Sequence, residues 1–311
     1  MQCTFTPLEH EGLLHISGPD ALKFLQGQTT CDTRDIGPDR ATPGAYCTAQ
    51  GRVICDFLLL QLAQEHYALR LRSEILEQAR DTFARYVVFS NARIAAGRGD
   101  WLVTGVRGPD ARGVLEQVFG SAPGSPMACQ SGQDFALVQT DTGGEAFECF
   151  LATDSAWADA LTKASAAGSP ACWRFAEISA GIARIEDATL GEFVPQVLNY
   201  DLTGHVSFNK GCYTGQEVVA RLHYRGKSKR RAFLFQLPAG RDDDREPAVG
   251  ATVFNANGKA AGQVLNSATC EDQIRLLAAA SIEDAAHELY LDASHDNPLE
   301  ALALPYPLGD N

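Results

Sequence analysis

Residues 210–217 read Lys-Gly-Cys-Tyr-Thr-Gly-Gln-Glu, and residues 221–231 follow as Arg-Leu-His-Tyr-Arg-Gly-Lys-Ser-Lys-Arg-Arg. A cysteine between a glycine and a tyrosine, just ahead of a run of cations, suits thiolate chemistry, because helix N-termini and nearby positive charges favour the thiolate over the thiol. Thr214 and Glu217 have the spacing of a capping box, which predicts a helix opening at 215 that buries Val218, Val219 and Leu222. Cys212 then lies just before the positive end of that helix, with Lys210 and Arg221 as the cations at hand. Gly211 and Gly215 permit close approach of a ligand or another backbone segment. The same residues also fit a plainer reading, in which Cys212 fills space in a tight turn and the cations form a solvated face or a linker.

The rest of the composition narrows the chemistry. With 311 residues, 45% of them hydrophobic, the chain can bury a full core and should divide into two or three domains. A net charge of −13 works against broad, non-specific nucleic-acid binding, so any anion site must be local. Six of the 26 lysines and arginines fall within residues 221–231, namely Arg221, Arg225, Lys227, Lys229, Arg230 and Arg231. The nine cysteines are odd in number, irregularly spaced and without a Cys-x-x-Cys pair, which argues against a disulfide framework and against a zinc site. Most should be reduced and buried. No metal is expected to be held by the chain itself, since no histidine pair has ligand spacing. No stretch approaches the roughly 20 apolar residues of a membrane helix, and the N-terminus lacks a secretory pattern. The expectation is a cytoplasmic protein with no membrane partner, monomeric.

The elements that must position the motif show an internal echo. His-Ile-Ser-Gly-Pro-Asp-Ala at 15–21 and Gly-Val-Arg-Gly-Pro-Asp-Ala at 105–111 each follow an apolar run and precede a helical pattern. Proline suits a first helical turn, an early aspartate faces the positive end of the dipole, and Gly27 or Gly120 can close the helix in the left-handed conformation. Each copy continues with two strand-like runs and a second helix, opening at Ser73 in the first and near Asp154 or Ser155 in the second. A last strand, Val-Val-Phe-Ser-Asn-Ala-Arg-Ile in the first copy and Ala-Cys-Trp-Arg-Phe-Ala-Glu-Ile (171–178) in the second, would complete two ferredoxin-like units. After 231, short apolar runs separated by turn residues predict a small antiparallel sheet or barrel, with Arg-Asp-Asp-Asp-Arg-Glu-Pro at 241–247 a solvated loop. The expected class is therefore α+β. Its domains would be a first α+β unit over 1–95, a second over 96–230 that ends in the cysteine motif and its helix and can interleave with the first, and a C-terminal β-barrel over 231–311.

Residues 193–231 closely resemble the signature of the YgfZ family of folate-binding, tRNA-modification and iron–sulfur maintenance proteins, relatives of the glycine-cleavage aminomethyltransferase. Weaker matches occur in the family's order at 16–32, 49–53, 86–95 and 178–189, and in the ending Leu-Pro-Tyr-Pro-Leu-Gly-Asp-Asn. The resemblance implies a ring of domains around a central cavity for tetrahydrofolate or a derivative, with Gln50, Arg52, Trp173, Gln196, Gly211 and Tyr213 as lining candidates. It makes Cys212 the functional thiol, with Lys210 beside it, able to contact a cluster transiently. The function it implies is an accessory one, supporting cluster assembly or repair in iron–sulfur enzymes such as tRNA methylthiolases. Arg225, Lys227, Lys229 and Arg230 would then dock such enzymes, cluster-assembly proteins or, with less support, tRNA. A folate-dependent aminomethyltransferase or demethylase is the alternative, and a tRNA-binding modification factor a second one. One departure bears on the folate pocket: Glu11 lies where the resemblance implies a second tryptophan to stack on the ligand. Two others stand against the enzyme: Ser179 lies where the transferases have a folate-gripping glutamate, and their catalytic aspartate has no counterpart in Leu-Arg-Leu-Arg-Ser-Glu-Ile-Leu-Glu-Gln.

Overall fold

A computed structural model describes residues 2–97, 100–237 and 246–309; the acidic run at 241–245 lies outside the described residues. The chain divides into two compact units. The first comprises Met1–Gly44, Asp56–Pro170 and Asn209–Tyr213, and the second Ala45–Cys55, Ala171–Phe208 and Thr214–Asn311. Among the described residues no helix is long and apolar enough to cross a membrane.

The α+β expectation holds, and the echo in sequence is an echo in topology. Strand β1 (Thr4–Pro7) is followed by β2 (Glu11–Ser17), α1 (Ala21–Gln28), β3 (Thr42–Cys47), β4 (Val53–Ala63), β5 (His66–Arg72), α2 (Leu76–Val87) and β6 (Arg93–Gly97). The second copy runs β7 (Trp101–Arg107), α3 (Ala111–Phe119), β8 (Cys129–Ser131), β9 (Phe135–Gln139), β10 (Ala146–Ala152), α4 (Trp157–Ala164) and β11 (Ala166–Ala167). The first sheet has the order β3-β4-β5-β2-β6, and the second, read from its far edge, β8-β9-β10-β7-β1-β11. The two orders match position for position, except that β1 is inserted between β7 and the last strand. Apolar residues at strand and helix spacing fill each layer. Phe24 of α1 meets Phe83 of α2 edge-on at 6.1 Å, and Val114, Leu115 and Leu161 from α3 and α4 join Val106, Leu137 and Phe147 of the second sheet.

The Gly-Pro-Asp turns share a backbone constraint. Gly18 has φ +122° and Gly108 φ +131°, in a region that strains any L side chain. A Cβ on Gly18 would lie 2.5 Å from the Asn91 carbonyl oxygen, and one on Gly108 2.0 Å from that of Gln2. The aspartates that follow then hold those same segments: the Asn91 N–H donates to Asp20 Oδ2 and the Gln2 N–H to Asp110 Oδ2, both at 2.9 Å. Pro19 and Pro109 therefore stand before the helices rather than in their first turns. Gly120 does close α3 with φ +83°, but α1 runs on to Gln28, so Gly27 is a helical residue and not a cap.

Both predicted closing strands differ from the structure: of residues 87–94 only Arg93 and Ile94 are strand, Val87 ending α2 and a turn intervening, and the other is a helix. Residues 171–178 belong to α5 (Pro170–Ser179), whose proline occupies the first helical position and whose Trp173, Ala176 and Ile178 are buried. The last strand of the second copy is instead the short β11, which pairs in parallel with β1. Downstream, α6 (Gln216–Arg225) leads into β12 (Arg230–Gln236), β13 (Thr252–Asn255), β14 (Ala260–Cys270), β15 (Gln273–Ser281), β16 (Leu289–Tyr290) and β17 (Pro298–Leu302). These six close as the barrel β12-β15-β14-β13-β16-β17 around Phe235, Val253, Val264, Leu276 and Leu289. Five of the strands were expected from their apolar runs. The sixth, β17, starts with proline and buries only Leu299, so its sequence carries almost no strand signal.

The glycine constraint gives a paired prediction. Gly108→Ala should lower unfolding stability by at least about 1–3 kcal/mol, the cost of a residue held in a disfavoured conformation, whereas Gly27→Ala, with open space around it, should gain about 0.5–1 kcal/mol. Urea titration of the two variants checks both signs.

Candidate functional site

The cysteine motif is anchored on both sides by contacts its sequence does not show. In the first unit, Lys210 is only 8% exposed. Its Nζ donates to the carbonyls of Gln26 at 2.8 Å, Thr29 at 2.6 Å and Cys31 at 2.7 Å. These carbonyls lie at and just beyond the C-terminal end of α1, where a helix leaves acceptors without partners and the dipole is negative. Burial pulls the Lys210 pKa down to about 8. All three ammonium hydrogens are engaged, so Lys210 anchors the motif and has no donor left for a neighbouring thiolate. Tyr213 is likewise 8% exposed, with the Lys210 Nζ 5.1 Å from its ring centroid. Between these two pinned residues Gly211 and Cys212 are exposed. A Cβ on Gly211 would meet nothing within 4 Å, so here glycine answers no steric demand of the fold. The six other free cysteines, 3, 31, 47, 55, 129 and 149, are all buried, and Cys212 is the one exposed thiol. Burial alone pushes the Cys47 thiol up to about 12.

In the second unit, α6 begins at Gln216, one residue after the expected 215, and not through a capping box. Its N-cap is Gly215, with φ +84° and no side-chain cap, and of the three predicted core residues only Val219 is fully buried, Val218 and Leu222 being half-buried. The reason lies in a distant turn. A Cβ on Gly215 would fall 2.4 Å from the Thr48 carbonyl oxygen and 3.1 Å from the Gly51 Cα, while one on Gly51 (φ +73°) would fall 2.9 Å from the Val218 Cβ. The Thr48–Arg52 turn joining β3 to β4, closed by Thr48 N–H to Arg52 O at 2.8 Å and Gly51 N–H to Thr48 O at 2.9 Å, thus seats directly on the start of α6. Two glycines facing each other allow that approach.

The folate-lining candidates fall into different places. Gln50 and Arg52 are exposed on this turn; the Arg52 guanidinium donates to the Glu192 carbonyl, and Val53 N–H to Phe193 O at 2.8 Å. Gln196 lies in a 3-10 turn over Pro195–Leu198 and is 2% exposed; its Nε2 donates to Val219 O at 2.8 Å, which ties it to α6 as well. Trp173 is 6% exposed on α5. That helix is fastened to the barrel by the Cys172–Cys270 disulfide and by Arg275, whose guanidinium lies 4.6 Å over the Phe175 ring and donates to Ser179 Oγ at 2.6 Å. The irregular cysteine spacing gave no hint of this pair. Ser179 is thereby engaged in the fold at the position where the transferases carry a glutamate, and Glu11 is buried with its carboxylate on Arg72. Gln50, Arg52, Trp173 and Gln196 belong to the second unit, Gly211 and Tyr213 to the first.

The basic stretch divides. Arg225, Lys227, Lys229 and Arg230 are exposed after α6 ends at Gly226, with Arg230 also donating to Ala279 O at 3.2 Å. Arg231 is not part of that surface: it is 6% exposed, grips Asp201 through both carboxylate oxygens at 2.6 and 3.0 Å, and donates to Gln196 O at 2.7 Å.

Two repeated α+β layers followed by a closed barrel make up an aminomethyltransferase-type fold. The aminomethyltransferase T of the glycine cleavage system from Bartonella henselae matches it with a TM-score of 0.78 at 17% identity, over 98% of this chain and 86% of that one. Residues 2–137 also match the GCVT N-terminal domain. Nearer in sequence is the tRNA-modifying protein YgfZ of Yersinia enterocolitica, 31% identical over 317 residues that cover 99% of this chain and 94% of the relative. The protein of the same name from Serratia proteamaculans is 32% identical over 277 residues, 86% of this chain and 81% of its own. The chain belongs to the YgfZ family.

Two measurements follow from this geometry. In native protein one thiol should react quickly with a maleimide, and Cys212→Ser should remove that phase while leaving the six buried thiols to react only on unfolding. Lys210→Ala should cost stability by about 1–3 kcal/mol, the penalty of stranding buried carbonyl acceptors, measured by thermal or urea unfolding.

Proposed function

We propose that this protein is a tetrahydrofolate-binding accessory factor in tRNA modification, supporting iron–sulfur enzymes such as tRNA methylthiolases through the Cys212 thiol. One observation carries the reading: Cys212 is the single exposed free thiol, held between two buried anchors, in a chain whose relatives are named tRNA-modifying proteins. A two-iron cluster takes four protein ligands, so one cysteine can touch a cluster, a persulfide or a redox partner only in passing. The cluster is cargo here, not a resident group.

For the folate, Gln50 and Arg52 have surface to offer, and Arg52 has guanidinium donors beyond the one on Glu192, which suits a carboxylate of the folate's glutamate tail. Trp173 and Gln196, of the same unit as Arg52, each keep under a tenth of their surface free, so they would frame the ring by its edge more than by stacking. No chemical step is assigned to the folate. The aminomethyltransferase alternative has less support, because Ser179 is tied to Arg275 where that reaction's folate-gripping carboxylate belongs.

Two experiments test the reading separately. Calorimetry with reduced folates should show saturable binding weakened by Arg52→Ala; no binding at about millimolar ligand would remove the folate. In a strain lacking the native protein, folded Cys212→Ser should fail to restore the activity of an iron–sulfur tRNA methylthiolase. Full restoration would reduce Cys212 to packing in a turn. Changing Lys227 and Lys229 to Gln should leave thermal stability within about 0.5 kcal/mol while weakening capture of the client; a large loss of stability would make them structural.

A further inference from the structure

Strands β2 and β5 of the first unit bring together two histidines that stand 51 positions apart in the chain. Their register sets Ser17 opposite His66 and His15 opposite Ala68, so the two imidazoles are diagonal neighbours on one face of the sheet. His15 Nδ1 and His66 Nε2 lie 2.9 Å apart, with ring centroids at 5.1 Å and planes tilted by 40°. The pair sits at the rim of the sheet, where β2 ends and β5 begins, and both residues are half-buried rather than sealed. Burial pulls the His15 pKa down to about 4 and lowers that of His66. At neutral pH neither ring is charged, which is the state in which imidazole serves as a ligand.

The neighbouring strand makes room for this arrangement. Gly97 of β6 pairs with Leu13, and a Cβ there would fall 2.3 Å from His15 Nε2 and 2.4 Å from its Cδ2. Its backbone is ordinary strand, so the glycine serves the ring and not a turn. Beyond β6, the Asp100 carboxylate acts on His15 in the direction that favours positive charge. Two neutral imidazoles hold two protons, one between the rings and one on an outer nitrogen. Moving the shared proton to the outer nitrogen of the same ring turns both inner lone pairs toward each other, with no net release of protons. A tetrahedral ion with metal–nitrogen bonds of about 2.0–2.1 Å needs its nitrogens about 3.3 Å apart, so the rings have to part by only about half an ångström.

We infer that His15 and His66 form an open site for a borderline divalent ion such as Zn²⁺ or Cu²⁺, the two imidazoles filling two positions and water the others. Imidazole suits these ions, whereas Mg²⁺ and Ca²⁺ take oxygen ligands. The expectation that no histidine pair could hold a metal rested on spacing in the chain, and a pair made across two strands has no such spacing. The site uses no residue assigned to folate, to the Cys212 thiol or to client docking, so either reading can fail alone.

The test is calorimetric titration of Zn²⁺ into the full chain carrying Cys212→Ser, which removes the one exposed thiol, after treatment with a chelator. Zinc should bind saturably, and excess Mg²⁺ or Ca²⁺ should not displace it. His15→Ala and His66→Ala should each weaken the binding by at least about tenfold, the scale on which even the outer partners of a metal site matter. With Cu²⁺ in place of zinc, electron paramagnetic resonance should show coupling to two imidazole nitrogens, falling to one in either variant. No zinc binding, a copper spectrum without two such nitrogens, or binding that both folded variants leave intact, which would mark an adventitious ion only, would each overturn the inference. Should one variant fail to fold, the other variant and the nitrogen count in the parent chain still decide.

Discussion

Four charged side chains in the interior of the first unit set the terms for the rest. Arg70 on β5 forks onto Glu148 of β10 at 2.6 and 2.8 Å, while Glu11 on β2 receives Arg72 and stands 3.6 Å from Arg70. All four are less than a tenth exposed. Charges taken this far from water are tolerable only when paired with good geometry, and removing one partner from such a group typically costs about 3–5 kcal/mol. Because β5 and β10 lie in different sheets of the unit, the pairing dictates how the two repeated layers meet. It also explains Glu11. The carboxylate there answers an arginine.

Strand β4 is paired to β5 in the first sheet, and the β3–β4 hairpin ends in the turn that carries Gln50 and Arg52. That turn meets α6 through Gly51 and Gly215, so the placement of the helix depends on two positions with no side chain and a positive φ. On the other side, the cysteine motif is fixed by an ammonium on the end of α1. The logic is the same as in the Gly-Pro-Asp turns, where a glycine lets two backbones touch and a neighbouring polar side chain holds them. Short segments in this fold are pinned at both ends, and the anchors leave one or two residues exposed between them.

The sequence alone determined the layered α+β class, the doubling of Gly-Pro-Asp, five strands of the barrel and the place of Cys212 ahead of a helix. These are consequences of local periodicity, turn chemistry and spacing, which a linear chain displays directly. Only tertiary structure decided the rest. Residues 171–178 alternate well enough for a strand and became helix α5, which the Cys172–Cys270 disulfide and Arg275 fasten to the barrel. Lys210 reads as a partner for the thiol, yet three carbonyls some 180 positions away in the chain claim its hydrogens. Arg231 looks like the last cation of a solvated run and is instead buried against Asp201, while Lys229 and Arg230 beside it stay exposed. In each case the deciding partner is remote in sequence, and a buried donor, acceptor or charge takes its role from whatever the fold brings within about 3 Å.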